Sequence, residues 1–292
     1  MPTVRQHFLD RTRLTKYDGQ LVAFVRMYPK VKLDQVTDEM CRKFIEVRLQ
    51  RITRTGKLVS PGTVRTECLH IAAWFNRNVG RRKLLRENPW RLVAKEEKVK
   101  LPEPSVRERI LEPAEQEPFF AALGALGTHT HSAEVFERLA RIVTGSGLRA
   151  HEILYLAPAD VHHEKIFVPK AIAKRHKART VPVTADVLAL LEAQREWRNL
   201  GPRSTERLFE ISENYIDEVF RRASAAANLE TPIWLHDLRR TYASRMAFKV
   251  QPKVLQLLMG HVNLKTTMTH YAQVNQEMLA SVVVAAGSIL AP

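Results

Sequence analysis

Val161-His162-His163-Glu164-Lys165-Ile166-Phe167-Val168-Pro169-Lys170-Ala171-Ile172-Ala173-Lys174-Arg175-His176-Lys177-Ala178-Arg179-Thr180-Val181-Pro182-Val183 is the stretch where the periodicity of the chain changes. On both sides of it, apolar residues recur at helical spacing. Inside it, Ile166-Phe167-Val168 and Thr180-Val181-Pro182-Val183 read as short strands flanking a basic tip, Lys174-Arg175-His176-Lys177. The fold class that follows is mainly α with a small β-sheet, α+β.

Upstream, one helix is expected through Phe119, Phe120, Leu123 and Leu126. A second runs through Val135, Leu139, Ile142 and Val143 and stops at Gly145-Ser146-Gly147. A third follows Ala150 with Ile153, Leu154 and Leu156. Downstream, helices resume at Asp186 and continue to the end. The first hundred residues read as helices throughout. Tyr17, Leu21, Phe24, Val25 and Tyr28 share one face before Pro29. Thr37 caps a helix that buries Cys41, Phe44, Ile45, Leu49 and Ile52, and a loop spans Thr53 to Leu58. Ser60-Pro61 opens another helix, lined by Val64, Cys68, Ile71 and Phe75. From Lys95 to Arg109 the chain is rich in Lys and Glu, holds Pro102 and Pro104, and has few apolar residues, as a connector does. The expected organisation is a helical domain over 1–94, a linker over 95–109 and a second domain over 110–292.

The 292 residues carry a formal net charge of +15. Residues 1–100 hold 23 Lys+Arg against 10 Asp+Glu, whereas residues 101–292 hold 23 against 21. A basic domain beside a nearly balanced one suits a polyanion on the first. Arg77, Arg81, Arg82 and Lys83 cluster near a turn and are candidates for phosphate contacts, a solvated face being the plain alternative. No apolar run approaches the roughly 20 residues that span a bilayer, and Met1 to His7 lacks a signal-peptide stretch. Cys41 and Cys68 fall at apolar helical positions and read as buried reduced thiols. The expected setting is bacterial, cytoplasmic and nucleoid-associated, without membrane contact.

Six residues scattered over the second half suit attack on a phosphodiester: Arg149, Lys174, His236, Arg239, His261 and Tyr271. Guanidinium forks bind non-bridging phosphate oxygens and oppose the charge that builds in the transition state. Arg149 follows the Gly-Ser-Gly turn at a helix start. Its simpler role would be an ion pair with Glu152, and Glu152 can also orient an arginine. His236 and Arg239, three apart, share a helical face. A tyrosine hydroxyl is almost wholly protonated at neutral pH and needs a base or nearby cations to attack. No cysteine cluster or phosphate loop is present. His129 with His131, or His162 with His163, lacks a third ligand at metal spacing, so neither metal nor cofactor is expected.

Gly147-Leu148-Arg149-Ala150-His151-Glu152, Lys174 to Pro182, His236-Asp237-Leu238-Arg239, and Met259-Gly260-His261 followed by Thr266-Thr267 and Tyr271 stand in order over about 120 residues. Together they resemble the tyrosine recombinases, the phage-integrase family. The resemblance implies an N-terminal helical core-binding (SAM-like) domain and a tyrosine-recombinase catalytic domain. It implies that Tyr271 is the nucleophile and His236 takes its proton. His261 would hydrogen-bond the phosphate, and Lys174, with Lys177 as runner-up, would protonate the departing 5′ oxygen. Arg175, Lys177 and Arg179 join the DNA-binding candidates. The family usually places its tyrosine nine residues after the second histidine; here His261 to Tyr271 is ten. The implied function is site-specific recombination of duplex DNA through a 3′-phosphotyrosyl intermediate and a four-way junction. The protein would be monomeric when free and a homotetramer on DNA, with an apolar tail docking between protomers and room for a DNA-bending accessory protein. A non-catalytic DNA-binding relative and a type IB topoisomerase are the alternatives.

Overall fold

Thr37 starts its helix as expected, its hydroxyl accepting the Met40 amide at 3.3 Å. The computed structural model describes residues 18–53, 56–82, 88–91, 93, 107–126, 133–173 and 177–271. The chain divides into two compact units, Met1–Arg107 and Glu108–Pro292. The first holds helices α1 (Asp18–Met27), α2 (Asp38–Leu49) and α3 (Pro61–Arg82). Phe24, Phe44, Phe75 and Trp90 are fully buried at its centre. Phe24 meets the other three rings at centroid distances of 5.5, 6.2 and 5.5 Å, all edge-to-face. Cys41, Ile45, Val64, Cys68 and Ile71 complete this core. Burial pushes both thiols up, Cys68 to about 12, which keeps them protonated and inert.

One apolar position departs from its helical reading. α2 stops at Leu49, so Ile52 is not on its buried face; it is 64% exposed and pairs with Leu58 in a short antiparallel bridge. Gly56 closes that turn at φ +79°. The helical period of residues 41–49 simply does not extend past the end of the helix.

The second unit opens with α4 (Pro113–Ala125), where the Glu112 amide donates to the Glu115 carboxylate at 3.0 Å. α5 (Ala133–Ser146), α6 (Ala150–Leu154), α7 (Ala185–Trp197), α8 (Glu213–Ala226), α9 (Leu235–Ala247), α10 (Pro252–Met259) and α11 (Leu264–Tyr271) follow. Between α6 and α7 lies one antiparallel sheet, order β1-β2-β3, from Val161–His162, Lys165–Val168 and Arg179–Pro182. Its register pairs Ile166 with Val181 and Val168 with Arg179. Ile166, Val168 and Val181 face the core while Phe167 faces out, the period-2 pattern of a half-covered sheet. α4 and α8 meet through Phe119 and Phe220, edge-to-face at 5.4 Å. α9 buries Leu235, Leu238, Thr241, Ala243, Ser244 and Ala247, so it is covered on nearly every side and serves as the axis of this unit. No described helix is long and apolar enough to cross a membrane.

Candidate active site

α5 ends at Gly147, which takes φ +64° so that the chain can turn into α6. A Cβ there would lie 2.4 Å from the Tyr242 ring. This turn delivers Arg149 to the start of α6. Its guanidinium donates to Glu152 Oε1 at 2.9 Å and to the Gly260 carbonyl at 2.7 Å. Arg239, in the second turn of α9 and only 3% exposed, donates to the Met259 carbonyl at 2.5 Å and to the Gly147 carbonyl. The two arginines therefore grip consecutive carbonyls, those of Met259 and Gly260, from chain stretches 90 residues apart in number. Burial, and then the charge of Arg149, bring the Arg239 guanidinium down to about 9. It remains charged at pH 7, in a pocket where a further anion would relieve the repulsion.

Glu152 is 1% exposed. Burial alone would raise its carboxyl. Hydrogen bonds and charge from Arg179, with the amide and charge of Arg149, hold it instead at about 2. Glu152 pairs with the Arg149 guanidinium and also accepts its amide. Arg179 is among the DNA-binding candidates of the hairpin. Its guanidinium instead points inward and grips Glu152 through both terminal nitrogens, one of them at 2.8 Å. The signal was present: Arg179 is two residues from Val181, on the core-facing side of β3.

His236 is exposed, one turn before Arg239 on α9. Partial burial, followed by Arg239 and Arg240, pushes its imidazole below the ordinary histidine value. The neutral form dominates at pH 7, as a proton acceptor requires. Gly260, at φ +60°, closes α10, and the His261 amide returns to the Gln256 carbonyl at 3.0 Å. His261 Nδ1 is 3.0 Å from the hydroxyl of the fully buried Thr267. Thr267, one of the two threonines of the final motif, thereby fixes the imidazole.

Tyr271 ends α11 and packs against Tyr242, Ala243, Ala247, Leu255 and Met259. Its hydroxyl donates to the Val250 carbonyl at 2.6 Å. Val250 lies beyond the C-terminus of α9. Backbone positions 239 and 247 are already about 12 Å apart at helical rise. The phenol is thus turned toward the far end of α9, and burial raises its pKa. Of the remaining candidates, Arg77 and Lys177 are exposed. Lys83, Lys174 and Arg175, and the side chains of Arg81 and Arg82, lie outside the described residues, as do His129, His131 and the tail after Tyr271.

Residues 110–278 match the sequence profile of the phage integrase family. A tyrosine recombinase from Pseudothermotoga lettingae is 30% identical over 136 residues, which is 45% of this chain and 47% of the relative. A putative integrase/recombinase from Haemophilus influenzae is 28% identical over 235 residues, 78% of this chain and 60% of the relative. The chain spans about half the length of several curated relatives that it matches. Among solved structures, the Tn1549 transposon integrase in complex with a circular intermediate DNA superposes with a TM-score of 0.70 at 17% identity, covering 98% of this chain and all of that one. A lambda integrase dimer bound to a COC′ core site gives 0.67 at 15% identity, covering 91% and 92%. The fold is that of these integrases, and the profile match over more than half of the sequence places the chain in the phage integrase family, the tyrosine recombinases.

Proposed function

We propose that this protein is a site-specific DNA recombinase that cleaves and rejoins duplex DNA through a 3′-phosphotyrosyl intermediate. The observation that carries this reading is the pair of guanidiniums on adjacent carbonyls, with His236 and His261 beside them. Arg149 and Arg239 would bind the non-bridging oxygens of one phosphodiester, and His261 would add a hydrogen bond. His236 would take the proton as the Tyr271 oxygen attacks phosphorus. The 5′ oxygen leaves and is protonated by Lys174. The phosphotyrosyl bond conserves the phosphodiester energy, so rejoining is the same displacement in reverse by a 5′ hydroxyl. Exchange between two duplexes needs four cleavages, hence four protomers, and passes through a four-way junction. The basic residues of 1–100 would supply phosphate contacts, and affinity would fall steeply with salt.

For this chemistry the Tyr271 hydroxyl must leave the Val250 carbonyl and turn to the arginine pocket. The same bond supports a second reading, a DNA-binding relative that does not cleave. One assay separates the two. A random-sequence nicked duplex library is incubated with the protein and run under denaturing conditions. A protein–DNA adduct that disappears in Tyr271→Phe establishes cleavage. Tight, sequence-selective binding without any adduct establishes the second reading.

A further inference from the structure

Arg179 and Arg149 share one carboxylate. Glu152 Oε1 accepts from a terminal nitrogen of each, and Oε2 accepts from the other Arg179 nitrogen at 2.8 Å and from the Arg149 amide at 2.9 Å. A second route joins the same two side chains. The Arg179 stem lies over Gly260, where a Cβ would stand 2.9 Å from its Cδ and Nε. The carbonyl of that residue receives Arg149. Arg179, Glu152, Gly260 and Arg149 therefore close a ring, with the Arg179 side chain only 13% exposed.

The charges explain what the ring does. A buried carboxylate facing Arg149 alone would neutralise it and draw it inward. With Arg179 holding Glu152 in a two-point grip, the cluster of two guanidiniums and one carboxylate keeps one positive charge, and Arg149 is the member nearer solvent. We propose that Arg179 is a positioning residue of the recombinase: it engages Glu152 so that the charge and aim of Arg149 remain directed at the scissile phosphate, and it does not itself touch DNA. This rests on the reading of the site as a phosphodiester-cleaving centre.

The test uses a duplex recovered from the random library by covalent capture with the wild-type protein. Wild-type protein, Arg179→Ala, Arg179→Lys, Arg149→Ala and the Arg149→Ala/Arg179→Ala double variant are compared in single-turnover cleavage at saturating protein. Arg179→Ala is expected to cleave about 100-fold more slowly, the scale of a misplaced catalytic group. Its salt slope of binding should fall by no more than that of Arg149→Ala, about 1 for a lost phosphate contact, and the double variant should show no further fall. The double variant should be no slower than Arg149→Ala, because both changes remove one unit. Arg179→Lys, which keeps the charge without the fork, should fall between. A scissile linkage with one non-bridging oxygen replaced by methyl removes the charge that Arg149 opposes, and on it Arg149→Ala and Arg179→Ala should both approach wild type. Equal losses on charged and neutral linkages, multiplied losses in the double variant, or a salt slope in the double variant lower than in Arg149→Ala would each overturn the proposal. If Arg179→Ala does not fold, Arg179→Lys carries the same comparison across the two linkages. Failure of the wild-type protein to form any adduct would instead remove the recombinase reading itself.

Discussion

Glu152 is the residue whose ionisation the second unit depends on most visibly. Its folded value of about 2 lies below the 4.5 of an ordinary glutamate. A carboxyl depressed on folding contributes stability that is present above the unfolded value and is lost as pH falls through the folded one. The window therefore runs from about pH 4.5 down to about 2, with a contribution on the order of 3 kcal/mol. Urea melts at pH 6 and pH 3 should show about two thirds of this loss in the wild type, and a flatter response in Glu152→Gln. An unchanged pH response in the variant would refute the assignment. His236 titrates in the opposite sense. Its depressed value, below the ordinary 6.5, means that it protonates only on acidification. The acid limb of the cleavage rate should then lie below pH 6.5 and vanish in His236→Gln; a limb at or above 6.5 would contradict its role as base. Both residues were legible in the sequence as types. The Glu152–Arg149 pair was legible too; the Arg179 grip on Glu152 and the main-chain acceptors of Arg149 and Arg239 were not, since any residue supplies a carbonyl.

At the scale of elements, periodicity located the hairpin and the helices up to α6, and past Asp186 it gave helix without separating α7 to α11. The hairpin emerged from alternation at Ile166-Phe167-Val168, and the starts of α2 and α3 from Thr37 and Ser60-Pro61. What periodicity could not give was where an element stops. Ile52 carries the right spacing for α2 but follows its end. Arg179 looks like the loop residues before it but belongs to the strand. Turn chemistry was more informative. Gly147 and Gly260 both take left-handed conformations, and both sit where a helix end presents a carbonyl to an arginine. Gly147→Ala adds a Cβ into the Tyr242 ring as well as strain in the backbone. It should destabilise the protein by roughly 2–4 kcal/mol, read from the shift in urea midpoint. A loss under about 0.5 kcal/mol, the level of a surface change, would show that the α5–α6 turn tolerates another conformation.

For the whole molecule, the two compact units have separate cores, one centred on Phe24, Phe44, Phe75 and Trp90, the other on α5 and α9. Calorimetry should resolve two transitions. Phe44→Ala should lower one of them, by about 3–5 kcal/mol, and leave the other in place; a single transition displaced as a unit would show that the cores melt together. The charge is divided as well: the excess of cations lies in residues 1–100, while Arg149, Glu152, Arg179 and Arg239 lie in the nearly balanced remainder. The pocket has a further property that follows from its acceptors. The oxygens of residues 147, 259 and 260 hold the arginines, and that of residue 250 holds the Tyr271 phenol. Replacing Met259 or Val250 by another amino acid leaves each oxygen in the chain, altering packing while sparing the hydrogen bond. Gaining or losing one residue between α9 and Gly260 shifts the oxygens of residues 259 and 260 relative to α9. The letters at positions 250 and 259 are therefore free to change without loss of these acceptors, provided the number of residues from α9 to Gly260 is kept.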